Sequence, residues 1–95
     1  MKVKTSELTG PALDQAVSAF VGIEYGPGFK PSTDWADGGP IIDREGIVVW
    51  GDDLHWTAAV PHGVESYGET GLIAAMRCFV RAKAGDEVEV PEELK

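Results

Sequence analysis

One segment near the C-terminal end of the chain carries a broad apolar face at helical spacing, and this pattern limits the folds that the chain can adopt. Thr70 is suited to cap the start of such a helix, and Gly85 is suited to end it. Arg77 and Arg81, four residues apart, share the opposite face. The apolar positions are Leu72, Ile73, Ala75, Met76, Phe79, Val80 and Ala82. Because so wide an apolar face needs cover on several sides, the segment is predicted to be the central packing helix.

A second amphipathic segment lies near the N-terminal end. Pro11 suits the first turn of a helix and Gly22 suits its end, so a helix is predicted over Pro11–Val21. One face carries Leu13, Ala16, Val17 and Phe20, and the other carries Asp14, Gln15 and Ser18. The first face is predicted to pack on the core and the second to face solvent.

Strand patterns occupy the middle and both ends of the chain. The run Ile47–Trp50 is β-branched and aromatic, and Gly51–Asp53 is typical of a turn. Residues 55–60 alternate, with Trp56, Ala58 and Val60 on one face. Together they predict a β-hairpin over Ile47–Val60. Residues 61–70 are predicted to be a loop, and short strands are predicted near the N-terminus and at Val88–Val90.

These elements predict a single domain over residues 1–95 of the α+β class. Two main helices are expected to pack on one face of a small, largely antiparallel sheet with the hairpin at its centre. A chain of 95 residues has room for one hydrophobic core and not for two.

The stretch STDWADGGPIIDREGI, residues 32–47, combines turn-forming, acidic and large apolar residues. It overlaps a long irregular connection predicted over residues 22–39, and Pro40–Glu45 predicts a helix of one to two turns. Trp35 has two interpretations: a core plug that holds the loop down, which its orienting neighbours favour, or an anchor for an interface. The acids of the stretch are predicted to face outward, where a partner could contact them: Asp34, Asp37, Asp43 and Glu45.

The chain carries a net charge of −8. The main interpretation is a solvated surface that keeps the protein in solution, and the alternatives are an acidic face for a basic partner and mimicry of DNA. The charge opposes binding to nucleic acid and to anionic membranes. The chain has one cysteine and no apolar run long enough for a membrane span, and no signal peptide is recognised. We therefore expect a soluble, cytoplasmic protein.

No pattern of catalytic or metal-binding residues stands out, so neither a cofactor nor a metal is expected. His55, His62 and Cys78 match no zinc spacing, and the aspartates do not match a calcium-binding loop. Cys78 lies within the C-terminal helix, where a free cysteine is usually an inert small hydrophobe.

Arg77 and Arg81 form the one basic pair that shares a predicted face. They could hold an anion or the carboxylate of a partner. The favoured interpretation is a solvated pair, or one bonded to nearby acids such as Glu87 and Glu89.

Three stretches stand out when they are taken together: MKVKTSELTG, STDWADGGPIIDREGI, and LIAAMRCFV followed by GDEVEVPEEL. In them the chain resembles the NinX-like family of small phage and prophage proteins over nearly its whole length. Val21–Pro31 and the loop at Pro61–Glu69 do not match the pattern. The resemblance implies an origin in a phage or prophage and action in the bacterial cytoplasm. It carries no catalytic residues.

The leading hypothesis is a non-enzymatic phage accessory protein that binds a host or phage protein bearing a basic patch. Neither nucleic acid nor membrane is an expected partner, and a homo-oligomer is allowed. The candidate surface consists of Asp34, Trp35, Asp37, Asp43, Arg77 and Arg81. The alternative is a small-ligand-binding protein or an unrecognised enzyme with a pocket between the Trp35 loop and the hairpin. A concave site joining Trp35, Asp37, His55 or His62, and Arg77 would favour the alternative.

Overall fold

The computed structural model describes residues 1–61 and 63–94, and they form three helices and two small antiparallel sheets. The helices are α1 (Gly10–Val21), α2 (Trp35–Glu45) and α3 (Gly71–Ala84). The strands are β1 (Lys2–Lys4), β2 (Val48–Gly51), β3 (Trp56–Ala59), β4 (Glu65–Gly68) and β5 (Glu87–Glu89). Short 3₁₀ turns cover Thr5–Glu7 and Glu92–Leu94. The α+β class is confirmed, although the single sheet that the sequence predicted is divided into two.

Helix α3 lies at the centre of the domain. It contacts α1, α2, β5 and every strand of the β2–β3–β4 sheet. Its buried side chains include Leu72, Ala75, Met76, Phe79 and Val80. Burying such residues removes roughly 1.5–3 kcal/mol of unfavourable hydration for each large side chain, so this helix holds much of the core together. The sequence prediction of a central packing helix is confirmed.

Helix α1 spans the predicted residues, and Leu13, Ala16 and Val17 are buried as predicted, but the buried face extends onto the side predicted to face solvent. Phe20, expected in the core, has 44% of its surface exposed, whereas Asp14 and Ser18, expected outside, are buried. The reason is that the chain near Ser32 crosses this helix, and the backbone N–H of Ser32 donates to Asp14 Oδ1 at 2.9 Å. Gly22 ends the helix with φ of 76°, as predicted.

Helix α2 begins at Trp35, so the predicted start at Pro40 is wrong. The carboxylate of Asp34 caps it by accepting from the N–H of Ala36 at 2.9 Å. Pro40 lies inside the helix and has no N–H to donate to the carbonyl of Ala36 one turn earlier. Because Ala36 is exposed, that carbonyl can accept from water instead. Ile41 is buried and fastens α2 to the core.

The predicted hairpin is confirmed in β2 and β3, which pair Val49 with Ala58 and Gly51 with Trp56. Its turn is fixed by Asp52, whose Oδ1 accepts from the N–H groups of Leu54 at 2.8 Å and His55 at 2.9 Å. The expected loop over residues 61–70 contains a further strand, β4, which pairs with β3. That part of the prediction is wrong, and the histidine at position 62 lies outside the described residues.

The second sheet joins the two ends of the described chain. Strands β1 and β5 pair so that Lys2 faces Glu89, Val3 faces Val88 and Lys4 faces Glu87. The two valines are partly buried against the core, while the Lys–Glu rows lie outside. No helix in the described residues has the length and hydrophobicity needed to cross a membrane.

Candidate functional site

Trp35 is exposed over 60% of its surface, so the core-plug interpretation is wrong. As the first residue of α2 it projects from the start of the helix, and it lines a shallow groove with Ser32, Thr33 and the start of α3. The residues that hold this stretch to the core are instead Ser32, Gly38 and Ile41, all of them buried. Trp35 is therefore a surface residue that a partner can reach.

Two of the three candidate aspartates have local structural partners. Asp34 caps α2, and Asp37 Oδ2 accepts from the backbone N–H of Lys30 at 2.8 Å. These bonds tie the connection after α1 to the first turn of α2. Asp43 is exposed on α2, and Glu45 is half-buried and lies 3.5 Å from the ammonium group of Lys83. Asp34 and Asp37 thus order the chain before any partner contacts them.

The two arginines bind backbone carbonyls. Arg77 Nε donates to the carbonyl of Leu8 at 2.7 Å and its Nη1 to that of Tyr67 at 2.9 Å. Burial lowers the pKa of Arg77 from its usual value, while the charge of Glu69 opposes that shift. The pair is a structural clamp between α3 and its neighbours.

Arg81 completes the clamp. Its Nη1 donates to the carbonyl of Glu65 at 2.7 Å and its Nε to Asp86 Oδ1 at 3.0 Å. The predicted acidic partners Glu87 and Glu89 are thus replaced by Asp86. The ion pair is largely exposed, so its own contribution to stability is small.

The candidate residues do not converge on one pocket. The groove at Trp35 is lined by residues 32–33 and 70–73 and contains neither Asp37 nor Arg77. Asp37 lines a different groove, beside Phe29. His55 and Arg77 do share a groove of about 350 Å³. The concave site that would have joined all of these residues is therefore not assembled.

A different surface emerges from the register of the three-stranded sheet. Residues that face one another across strands lie on the same side of the sheet, so Trp50, Thr57 and Tyr67 form one row. On the other side Trp56 lies between Gly51 and Gly68, and α3 packs over it, with Gly71 near Val49 and Trp56. The row that contains Trp50 and Tyr67 thus lies on the side away from α3.

This outer side and the adjoining turn carry large apolar side chains that remain exposed. Together with Trp56, whose ring lies on the side of α3 but stays partly exposed, they form the group called here the hairpin surface, which consists of Val48, Trp50, Leu54, Trp56 and Tyr67. Leu54, at the tip of the turn, is 88% exposed. The ring of His55 meets that of Tyr67 edge-on with the centroids 5.0 Å apart. Thr57 is buried between its two aromatic neighbours, so the surface is packed as well as exposed.

Sequence reasoning missed the hairpin surface. The sequence prediction placed Trp56 on the core face of its strand with Ala58 and Val60. Trp56 does lie on that face, but the residue keeps 41% of its surface exposed. The available signal was the alternation of Val48 and Trp50 in a strand with no second layer of helices to cover it. Without β4 in the prediction, Tyr67 could not be placed beside them.

The reactive side chains outside that surface have ordinary structural roles. Cys78 is fully buried, and burial raises the pKa of its thiol to about 11, so at neutral pH it is a protonated thiol and a poor nucleophile. His55 Nδ1 lies 3.9 Å from Asp52 Oδ1, with the turn between them. Within residues 1–61 and 63–94, no three His, Cys, Asp or Glu side chains come together as a metal site.

The sequence matches a family model described as "Bacteriophage P22, NinX" over residues 15–83. The matched span runs from α1 through nearly all of α3, and it contains β2, β3, β4 and all of the hairpin surface. No curated protein matches the chain.

Proposed function

This chain belongs to the NinX family of bacteriophage proteins, and we propose that it is a non-enzymatic accessory protein that binds another protein through the hairpin surface. The observation that carries the proposal is the exposure of Val48, Trp50, Leu54, Trp56 and Tyr67 on one hairpin and its neighbouring strand. The partner is a host or phage protein with a basic patch.

Exposed aromatic residues in one place support binding to a protein. Single apolar residues are common on protein surfaces, but contiguous apolar patches usually mark sites of interaction. Tryptophan and tyrosine are also the residues whose truncation most often weakens a protein–protein complex, because each buries a large area with few rotatable bonds. Trp50 and Tyr67 lie in the same cross-strand row, held apart by the buried Thr57, so their positions are fixed before binding.

The charge around the hairpin surface favours a basic protein over nucleic acid. Asp52 and Asp53 lie at its turn, and Glu65 and Glu69 lie beside Tyr67. An aromatic sheet face can stack on bases, but such sites need cations that follow the phosphate backbone. The acids here oppose phosphates and attract lysine and arginine, so association with the partner should weaken as salt concentration rises.

A small-ligand role has one observation behind it, the groove that joins His55, Tyr67 and Arg77. The donors Nε and Nη1 of Arg77 are already bonded to the carbonyls of Leu8 and Tyr67. Glu65 and Glu69 also line this groove and would repel an anion. The groove is thus a weaker basis for function than the hairpin surface.

Photo-crosslinking inside cells tests the proposal. A photoreactive phenylalanine analogue would replace Trp50 or Tyr67. The control position is Phe20, which is exposed to the same extent as Trp50 but lies on α1. In phage-infected or lysogenic cells, the two sheet positions should give one discrete protein adduct and the α1 position should not. Equal adducts at all three positions, or none at the sheet positions, would refute the proposed function.

A further inference from the structure

The two edges of the three-stranded sheet differ in how their backbone groups are paired. In an antiparallel pair, hydrogen-bonded and non-bonded residues alternate along each strand. The bond from the N–H of Val60 to the carbonyl of Val64 sets this alternation for β4, so Glu65 and Tyr67 direct their backbone groups away from β3. Those two carbonyls are the ones that accept from Arg81 and Arg77. The arginines therefore occupy the outer edge of β4.

The edge at β2 has no such cover. The N–H of Asp52 donates to the carbonyl of His55, which sets the alternation so that Trp50 bonds Thr57 and Val48 bonds Ala59. The N–H and C=O groups of Val49 and Gly51 then point away from β3. Nothing in the described parts of the chain forms a hydrogen bond with them. Natural edge strands are commonly protected by lysine, by proline or by a bulge, and the sequence of β2, VVWG, contains no charged residue and no proline.

We propose that the β2 edge is the docking site for an extended, lysine- or arginine-bearing segment of a partner protein, which adds to the sheet as a fourth strand. The inference rests on the proposed function and specifies how the partner is bound. Strand addition satisfies backbone groups through main-chain hydrogen bonds and takes its specificity from alternate side chains. At this edge, Val49 and Gly51 supply the backbone groups.

The side chains around the edge favour apolar residues in the incoming strand. On the outer side of the sheet, the new strand lies against Val48 and Trp50, both exposed. On the side of α3, the ring of Trp56 lies over Gly51, where a Cβ would come within 2.9 Å of it. A partner side chain beside Gly51 therefore meets the exposed part of an indole ring. Both sides of the new strand find an apolar surface.

Charge selects a basic partner over a second copy of this chain. Asp43 and Glu45 precede β2, and Asp52 and Asp53 follow it. The one cation in this span is Arg44, whose Nε donates to Glu45. Glu45 also lies 3.5 Å from the ammonium group of Lys83, so the charges before β2 largely cancel and the uncompensated acids are Asp52 and Asp53 at the turn. A segment with lysine or arginine at that end of β2 is attracted to it, whereas a second copy brings the same acids to the same edge.

Selection from random dodecapeptides displayed on filamentous phage, with the purified full chain as bait, tests this docking mode. Enriched peptides should alternate apolar residues and carry lysine or arginine. Each would then be synthesised with a fluorescent label and titrated by anisotropy. N-methylation of alternate residues should abolish binding in one register and preserve it in the other, because only every second backbone N–H of an added strand faces the sheet.

Two matched variants locate the binding edge. Trp50→Lys places a cation beside β2 and should weaken binding of the selected peptides by roughly tenfold or more. Phe20→Lys makes the same change at a residue of equal exposure on α1 and should alter the affinity by less than about twofold. Circular dichroism of both variants would show that each remains folded.

Several results would overturn the docking mode. These are a selection with no enrichment, selected peptides that tolerate N-methylation in both registers, and equal effects of the two variants. A wild-type dimer in sedimentation that Trp50→Lys converts to monomer would show that a second copy occupies the edge. Any of these results would show that strand addition is wrong. If crosslinking at Trp50 and Tyr67 nevertheless captured a protein, the proposed function would still stand.

Discussion

Gly38 and the carbonyl oxygen of Pro31 approach so closely that a Cβ at position 38 would lie 2.4 Å from that oxygen. The same Cβ would lie 2.6 Å from Cδ2 of Leu72 on α3. Gly38 has no positive φ, so its role is to let α2 pack against the chain before it and against α3. Its neighbour Gly39 has only a ring atom of Trp35 near, at 3.9 Å. The two adjacent glycines thus serve different purposes.

Alanine at these two positions should therefore have opposite effects on stability. Gly38→Ala is expected to lower the free energy of unfolding by about 1–3 kcal/mol, because a backbone carbonyl must move to admit the methyl group. Gly39→Ala is expected to raise it by about 0.5–1 kcal/mol through the higher helix propensity of alanine. Urea denaturation of both variants measures the difference. Equal destabilisation would contradict the close packing at Gly38.

Trp35→Ala is expected to change the free energy of unfolding by less than about 1 kcal/mol, because most of the ring is already in water. Phe79→Ala, at a ring that is 2% exposed, is expected to cost about 3–5 kcal/mol. Thermal melts of the two variants beside the wild type test both values. A large loss for Trp35→Ala would restore the core-plug interpretation.

The elements that the sequence predicted correctly are those with local signals. Both helices carry apolar residues at helical spacing; Pro11 marks the start of α1, Thr70 marks the start of α3, and a glycine ends each. The hairpin has a β-branched run followed by a turn that Asp52 fixes. Each of these signals lies within the element itself. Tertiary contacts were not needed to place them.

The errors arose where tertiary contacts determine the structure. Strand β4, with the sequence ESYG, directs Ser66 and Gly68 inward, so its buried face carries no large apolar residue. Only small residues fit there because α3 lies so close that a Cβ at Gly68 would be 2.6 Å from the backbone N of Ala74. The start of α2 was misplaced because Pro40 looked like a first-turn residue. The core-plug interpretation of Trp35 was wrong for a different reason: its turn-forming neighbours orient the chain without placing the ring in the core.

That the candidate residues form a binding surface stays a prediction, and the sequence predicted only part of their surroundings. Trp35 is exposed as an interface anchor would be, and Asp43 is open to solvent. Arg77 and Arg81 share a face of α3 as predicted, but the bonds that they form with carbonyls of β4 could not be foreseen without that strand. The hairpin surface depends on the same strand, which supplies Tyr67.

The free energy of unfolding is expected to fall as the pH rises from about 9 towards 11, in part because of Cys78. Its thiol would ionise near its usual pKa of 9.0 in the unfolded chain, but burial raises the pKa to about 11 in the folded protein. Between pH 9 and pH 11 the unfolded state binds fewer protons than the folded state, so a rise in pH favours unfolding. The stabilisation that comes from the buried neutral thiol is therefore complete below pH 9 and is lost towards pH 11. Urea denaturation at several pH values, compared with Cys78→Ala, isolates this contribution. The variant should show a shallower decline, and parallel curves would contradict the raised pKa.

No measurable binding to duplex DNA or RNA is expected at about physiological salt. Nonspecific affinity requires several cations that neutralise phosphates together, and even cationic proteins often reach only about 10⁻⁴–10⁻⁶ M under these conditions. Here the guanidinium of Arg77 donates to backbone carbonyls. Arg81 pairs with Asp86, and Lys83 pairs with Glu45. Lys2 and Lys4 each face a glutamate across the β1–β5 sheet. Lys2, Lys4 and Arg81 line one groove, but Asp86, Glu87 and Glu89 line it as well, so these cations are offset by acids in a chain whose net charge is −8. An anisotropy titration with a labelled duplex measures the affinity directly. Saturable binding in the micromolar range would contradict both this prediction and the preference of the hairpin surface for a basic protein.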